Sequence, residues 1–219
     1  EELPEIGRYF TWERTGVPTL FVRSTDGEIR GFYNSCRHRG APVVRTPIGR
    51  SRAFRCQYHS WTYDSFGHLL SIPDERDFGD IDRCAHGLVS LPIIERGGWL
   101  WANVDGNADH AATALAAYEP MQALQQSYVF QGRAIGLLDK GWQRIQPFVQ
   151  RIAQDQNIAP NLAFDQREDR CYFLAIWPRD DWRLSVEVVT IGSEGTAKDS
   201  SHAQRFLDSF VAEIAASII

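Results

Sequence analysis

The chain has 219 residues, 43% of them hydrophobic and 23% charged, with a formal net charge of −5. That is enough apolar content for one large domain or two modest ones. No apolar run approaches the roughly eighteen residues that cross a bilayer, and Glu1-Glu2-Leu3-Pro4 lacks the basic-then-apolar pattern of a secretion signal, so a cytoplasmic globular protein is expected. The acidic balance argues against nucleic acid as a partner, and four cysteines are too few for a disulfide framework at this length.

The first hundred or so residues read as short strands joined by tight turns. Stretches 9–12, 19–23 and 30–34 are rich in β-formers, and Thr25-Asp26-Gly27 is a hairpin signal between the last two. A Cys/His segment follows at once. Residues 53–55 lead into a second such segment; then 61–63, the turn Asp64-Ser65-Phe66-Gly67 and 68–71 form another hairpin. Stretches 91–94 and 99–103 close the pattern around a bend at Gly97-Gly98. The expectation is a small antiparallel β domain over 1–106 with its Cys/His loops at the tip.

Beyond residue 106 the character changes. The stretch 107–126 is rich in Ala, Leu and Gln and suggests a helix or linker with a break near Pro120. Residues 141–154 have helical character interrupted by Pro147, and 171–177 is a continuous apolar run typical of a buried strand. Leu184, Val186 and Val188 alternate with Arg183, Ser185 and Glu187, the signature of a half-buried strand. The clearest helix is the last: Phe206, Leu207, Phe210, Val211, Ile214 and Ile218 share one face, with Asp208, Ser209 and Glu213 offset from it. Cys84 and Cys171 read as buried or idle thiols, with a disulfide between them as the alternative.

Chemistry concentrates in Cys36-Arg37-His38 and Cys56-Gln57-Tyr58-His59, separated by seventeen residues (39–55). Two thiols and two imidazoles in two short loops resemble the donor set of a Rieske [2Fe–2S] cluster, in which two imidazoles replace thiolates on the second iron and raise the reduction potential. Each loop is too short to bury itself, so the metal is expected to organise it. Structural zinc is the rival reading, disfavoured by the mixed order of ligands within each pair. Between Ser35 and Tyr63 there is no acidic residue, yet Arg37, Arg39, Arg45, Arg50, Arg52 and Arg55 all fall there. An oxidised cluster of this kind is formally neutral, so nearby guanidinium groups favour the added electron and also suit an acidic donor.

The flanks, Cys36-Arg37-His38-Arg39-Gly40-Ala41 and Cys56-Gln57-Tyr58-His59-Ser60-Trp61-Thr62-Tyr63-Asp64 followed by Gly67, resemble the large (α) subunit of the Rieske non-haem iron ring-hydroxylating oxygenases. Respiratory-type Rieske proteins carry two further, mutually bonded cysteines where this chain has Ala41 and Tyr58. Gln57 and Ser60 depart from the Pro and Gly usual in the oxygenases, and the Ser60 hydroxyl is expected to donate toward cluster sulfur. Tyr58 and Trp61 are expected to pack over the cluster and exclude water. More faintly, Ala159-Pro160-Asn161-Leu162, residues 182–189 and a turn at 192–196 resemble strands of the family's catalytic domain.

The resemblance implies an α+β chain: a small antiparallel β Rieske domain, then over 107–219 part of a helix-grip (START/Bet v1-like) catalytic domain, an antiparallel sheet wrapped around a long helix. It further implies that Cys36, His38, Cys56 and His59 hold a [2Fe–2S] cluster, the cysteines on the ferric site and the histidines on the iron that changes valence. Electrons would arrive from a ferredoxin or reductase and reach a mononuclear non-haem Fe(II) in a homotrimer, with or without β subunits. There O₂ would hydroxylate or demethylate an organic, often aromatic, substrate. The family's iron is held by two histidines four residues apart and a later carboxylate. No such pair exists among His68, His86, His110 and His202, and only Asp208 or Glu213 stands near the place of the carboxylate. Too few residues separate Trp142-Gln143-Arg144-Ile145, which resembles the lead-in to that pair, from 157–162, so a missing segment is the favoured reading, and the start at Glu1 fits it. The rivals are a relative that only transfers electrons and an iron site completed by another chain.

Overall fold

The structure is a computed structural model and describes residues 3–96, 99–107, 128–152, 162–167, 170–180, 182–193, 196, 199 and 201–216. The chain divides into two compact units, Glu1–Ala111 and Ala112–Ile219. The bend at 97–98 and the expected helix or linker over 108–126 lie outside the described residues, as does most of 157–162. No described helix is long and apolar enough to cross a membrane.

The first unit is antiparallel β throughout. Strands β1 (Arg8–Trp12), β2 (Thr19–Arg23), β3 (Ile29–Tyr33), β4 (Ile48–Arg50) and β8 (Ser90–Leu91) form a five-stranded sheet in the order β4-β1-β2-β3-β8. Strands β5 (Ala53–Arg55), β6 (Thr62–Asp64) and β7 (Leu69–Ser71) form a three-stranded sheet, while β9 (Ile93–Arg96) pairs with β10 (Trp99–Ala102). The short edge strand β4 and a 3-10 turn at Glu75–Phe78 carry no clear sequence signal.

Strand alternation explains where the core sits. β2 lies between β1 and β3, so both of its edges are paired, and it is buried on both faces, successive side chains entering different cores. Leu20 and Val22 join Phe32, Phe54, Trp61, Tyr63 and the two candidate ligands Cys36 and Cys56. Phe21 faces the other way, with Leu3 and Leu91. Gly67 closes the β6–β7 turn at φ 88°, and a Cβ there would sit 2.5 Å from the buried ring of Phe32. Only glycine combines that backbone with that clearance.

In the second unit β11 (Tyr128–Leu138), β14 (Leu184–Ser193), β13 (Arg170–Pro178) and β12 (Leu162–Arg167) form a four-stranded antiparallel sheet in that order. Helix α1 (Trp142–Ile152) packs on β12 and contains Pro147; helix α2 (Ser201–Ala216) packs on β11 and β14. As its spacing predicts, α2 buries Phe206, Leu207, Phe210 and Ile214, and Phe206 stacks on Tyr172 with ring centroids 4.5 Å apart. Ile218 lies outside the described residues. The half-buried reading of residues 183–188 needs correction. β14 is central in the sheet, Arg183 falls outside it, and Ser185 and Glu187 are as buried as their apolar neighbours. Glu187 tolerates this because the guanidinium of Arg133, diagonal to it on β11, pairs with it. The turn expected from Gly192 begins later, since β14 runs through Ser193.

Replacing Gly67 with Ala combines a left-handed backbone with overpacking against Phe32, and is expected to destabilise the first unit by about 3 kcal/mol in chemical denaturation. At the start of α2, Asp199 accepts the Ser201 backbone N–H at 2.9 Å and lies beside His202 and Arg205. The hydrogen bond from the Ser201 side chain first, then that from its backbone N–H, and after them His202 and Arg205, lower its pKa from 3.8 to about 2. A depressed folded-state value stabilises above the unfolded value and is lost as pH falls through the folded one. Asp199→Asn should therefore lower stability at neutral pH and flatten its fall between about pH 4 and pH 2, measured by denaturation across that range.

Candidate functional site

The two Cys/His segments fold into turns of the same backbone shape. In the first, the Gly40 N–H donates to the Cys36 carbonyl at 2.8 Å and the Cys36 N–H to the Ala41 carbonyl at 2.8 Å. In the second, Ser60 N–H donates to Cys56 O and Cys56 N–H to Trp61 O, both at 2.9 Å. Backbone bonds, rather than a metal alone, thus close each loop. The fifth residue of each turn is left-handed: Gly40 at φ 74° and Ser60 at φ 60°. Glycine adopts this freely, whereas serine gives up about 1 kcal/mol or more.

Two buried polar side chains outside the first turn position it. Asn34, at the end of β3, accepts the N–H groups of Val43 and Val44 at 3.0 Å each and donates to the Val44 carbonyl at 2.7 Å, fixing the exit of the first turn. Tyr63 on β6 accepts the Arg37 N–H at 3.1 Å, which leaves its own proton for Cys36 Sγ at 3.3 Å. Burial first, and then Cys36, push the Tyr63 phenol well above its ordinary range. The sequence singled out neither role. Only the alternation of Trp61 and Tyr63 at strand spacing hinted at a common inward face.

The structure brings Cys36, His38, Cys56 and His59 together. Both cysteines are buried, and they belong to the same core cluster. Burial pushes the Cys36 thiol up, while Tyr63 pulls it back. His38 Nδ1 and His59 Nδ1 are 3.1 Å apart. Metal–imidazole bonds of about 2.1 Å would subtend an angle of about 95° across that gap, close to what one four-coordinate ion accepts. Burial, then His59 and Arg39, lower the His38 pKa, which favours the neutral imidazole that a metal needs. Among the described residues no three His, Cys, Asp or Glu side chains converge as a single ion would require. The donors sort instead into a sulfur pair and a nitrogen pair, which fits a two-metal group better than one zinc.

Aromatic packing is lopsided. Trp61 is buried and stacked on His38, centroids 5.1 Å apart and planes 11° apart, and Phe78 and His86 meet its ring edge-on. Its indole N–H has no acceptor among the described residues. An acceptor on a bound group would relieve that cost. Tyr58 does not pack inward as expected. It is 68% exposed because its ring turns outward under the Arg45 guanidinium. The arginine-rich stretch is partly compensated, Arg50 pairing with Glu5 at 3.2 Å. The Ser60 hydroxyl finds its partner in Arg55, whose Nη2 donates to it at 2.7 Å.

Each of the other described histidines has a polar partner of its own, and His86 also meets the Trp61 ring. His68 pairs with Asp64 at 3.1 Å, His86 Nδ1 donates to the Asp82 carbonyl at 2.8 Å, and His202 lies 3.3 Å from Asp199. His110 is outside the described residues. No disulfide joins the four cysteines, Cys84 being exposed and Cys171 buried in β13.

Residues 1–92 match the family model of the Rieske [2Fe-2S] domain. The α subunit of biphenyl 2,3-dioxygenase from Rhodococcus jostii (strain RHA1) is 35% identical over 115 residues, 52% of this chain and 25% of that protein. The α subunit of benzene 1,2-dioxygenase from Pseudomonas putida is 37% identical over 103 residues, 47% of this chain and 23% of that protein. The aligned stretch thus spans about a quarter of these curated relatives. Among solved structures, a quaternary ammonium Rieske monooxygenase superposes with a TM-score of 0.75 at 16% identity, over 99% of this chain and 75% of that one. A naphthalene 1,2-dioxygenase with indole bound in its active site superposes with a TM-score of 0.71 at 18% identity, over 95% of this chain and 70% of that one. The expected α+β fold, a β domain followed by a sheet-plus-helix domain, is therefore correct.

Tyr63→Phe keeps the ring and deletes the acceptor of the Arg37 N–H. A loss of about 1–2 kcal/mol in urea denaturation is expected; an unchanged midpoint would mean that this amide is satisfied elsewhere.

Proposed function

We propose that the chain is the oxygenase component of a multicomponent Rieske non-haem iron oxygenase system, a reading supported by the match of residues 1–92 to the Rieske [2Fe-2S] domain and by the likeness of its N-terminal half to the α subunits of biphenyl and benzene dioxygenases. In this reading Cys36 and Cys56 hold one iron of a [2Fe–2S] cluster, and His38 and His59 the other. When bound, the cluster supplies one-electron transfer. The 3.1 Å gap between the two Nδ1 atoms is the observation that carries the assignment. Buried Cys36 and Cys56 keep water from the sulfur side, and Trp61 covers one face of His38. His59 is exposed, so its outer nitrogen is open to an acceptor, and Arg37 and Arg39 beside His38 are exposed to an acidic donor.

The donor proposed is a ferredoxin or reductase, and the reaction class is O₂-dependent hydroxylation or demethylation of a small organic, aromatic substrate, as in the breakdown of aromatic hydrocarbons. A homotrimer, with or without β subunits, would place the exposed His59 face against a neighbouring subunit. A cytoplasmic setting suits four cysteines without a disulfide. The mononuclear iron does not fit this unit by itself, because residues 112–219 contain a single histidine, His202. That same observation favours a second reading, a non-catalytic Rieske electron carrier whose C-terminal unit serves assembly.

Anaerobic reconstitution followed by metal analysis and low-temperature EPR tests both. The oxygenase predicts iron in excess of sulfide and substrate-dependent O₂ uptake with reduced ferredoxin. The carrier predicts equal iron and sulfide, the same EPR signal and no such uptake. Colourless protein without inorganic sulfide would rule out both. His59→Cys should lower the midpoint potential, since it moves the ligand set toward that of all-cysteine ferredoxins.

A further inference from the structure

The two ligand turns are matched bond for bond, and this exposes one mismatch. Where the first has Gly40 in the left-handed position, the second has Ser60, a residue that adopts φ 60° only at a cost. Nothing in the turn's backbone needs a side chain there, since Gly40 closes the first turn equally well. The hydroxyl's recorded partner is Arg55 Nη2 at 2.7 Å. Arg55 ends β5 immediately before the ligand Cys56, is itself exposed, and has no carboxylate partner among the described residues. Its charge is therefore not neutralised locally. A free arginine at a strand end would sample many rotamers and spend much of its time hydrated away from the chain.

We propose that Ser60 is a positioning residue that tethers the Arg55 guanidinium against the second ligand turn, and that this held charge raises the reduction potential of the bound cluster. The proposal rests on the cluster reading above. The physical basis is simple: reduction adds one negative charge to the site, and a cation held close by favours the reduced form. The strained serine is retained because its oxygen, unlike a glycine hydrogen, fixes where that cation sits. Ser60 thus acts through Arg55 and not by its own contact with the metal group.

Midpoint potentials of reconstituted full-length protein, read from the EPR signal at low and high salt, test this. Arg55→Gln keeps a donor for Ser60 but removes the charge. It should shift the reduced-to-oxidised ratio at fixed poise roughly threefold toward the oxidised form, or about 28 mV at 59 mV per tenfold change for one electron. Ser60→Gly leaves the charge but frees it, so its potential should fall part of the way and depend more on salt. The double variant should match Arg55→Gln alone, because Ser60 has no other route. An unchanged potential in Arg55→Gln with an intact EPR signal overturns the proposal. So does a further drop when Ser60→Gly is added to Arg55→Gln, which would show a direct effect of the hydroxyl. Should Arg55→Gln fail to load, Arg55→Lys supplies the second measurement: a loaded cluster with potential near that of Ser60→Gly supports the tether, and failure to load shows a purely structural arginine. Wild-type protein that binds no iron and sulfide would instead refute the cluster reading, a different and recognisable failure.

Discussion

Burying two sulfur donors beside two imidazoles that reach toward the surface requires a backbone that holds all four in place, and the twin turns at Cys36–Ala41 and Cys56–Trp61 meet that requirement. Each is closed by a pair of its own amide–carbonyl bonds. Each is then anchored to a hydrophobic core shared by both, in which Cys36, Cys56, Phe32, Trp61 and Tyr63 pack together. Tyr63, on the strand after the second turn, ties the first turn to β6, and Asn34 pins the first turn's exit, so the local geometry is backed by further hydrogen bonds inside a dry core, where such bonds are hardest to replace.

What the sequence discloses follows from how local each interaction is. The four candidate ligands were legible because two short segments carry their spacing, β2 because β-forming residues crowd it, and β13 because an apolar run marks it. Asn34 and Tyr63 were not, since their roles depend on partners up to twenty-seven residues away. The Arg55–Ser60 bond spans only five residues, yet it depends on a left-handed backbone that a serine does not advertise. Tyr58 misled because aromatic character says nothing about which way a loop residue turns. β11 was not foreseen. Its Gly132 and Gly136, and the register shift between Phe130 and Gly132, obscure the alternation.

The second unit shows the same division. Its last helix was readable from apolar spacing alone, because amphipathic burial against β11 and β14 is what stabilises it. The strand β14 was recognised but its surroundings were not. Alternation of Ser185 and Glu187 with aliphatic residues suggests a wet face, and only the position between β11 and β13 and the Arg133–Glu187 pair explain why that face is covered. A polar residue in a sequence pattern reports its own hydration preference. Whether a partner will meet that preference inside the fold is information held elsewhere in the chain.

The partition made by β2 has one more consequence. Because Leu20 and Val22 look into the core that contains the cysteines while Phe21 looks into the opposite one, a slip of this strand by a single residue would exchange the contents of the two compartments. Small drifts are therefore forbidden, and only large and costly rearrangements could move the turns. Under the proposed function, in which electrons leave by tunnelling at a speed that drops steeply with each added ångström, such a sheet works as a fixed ruler beneath the site.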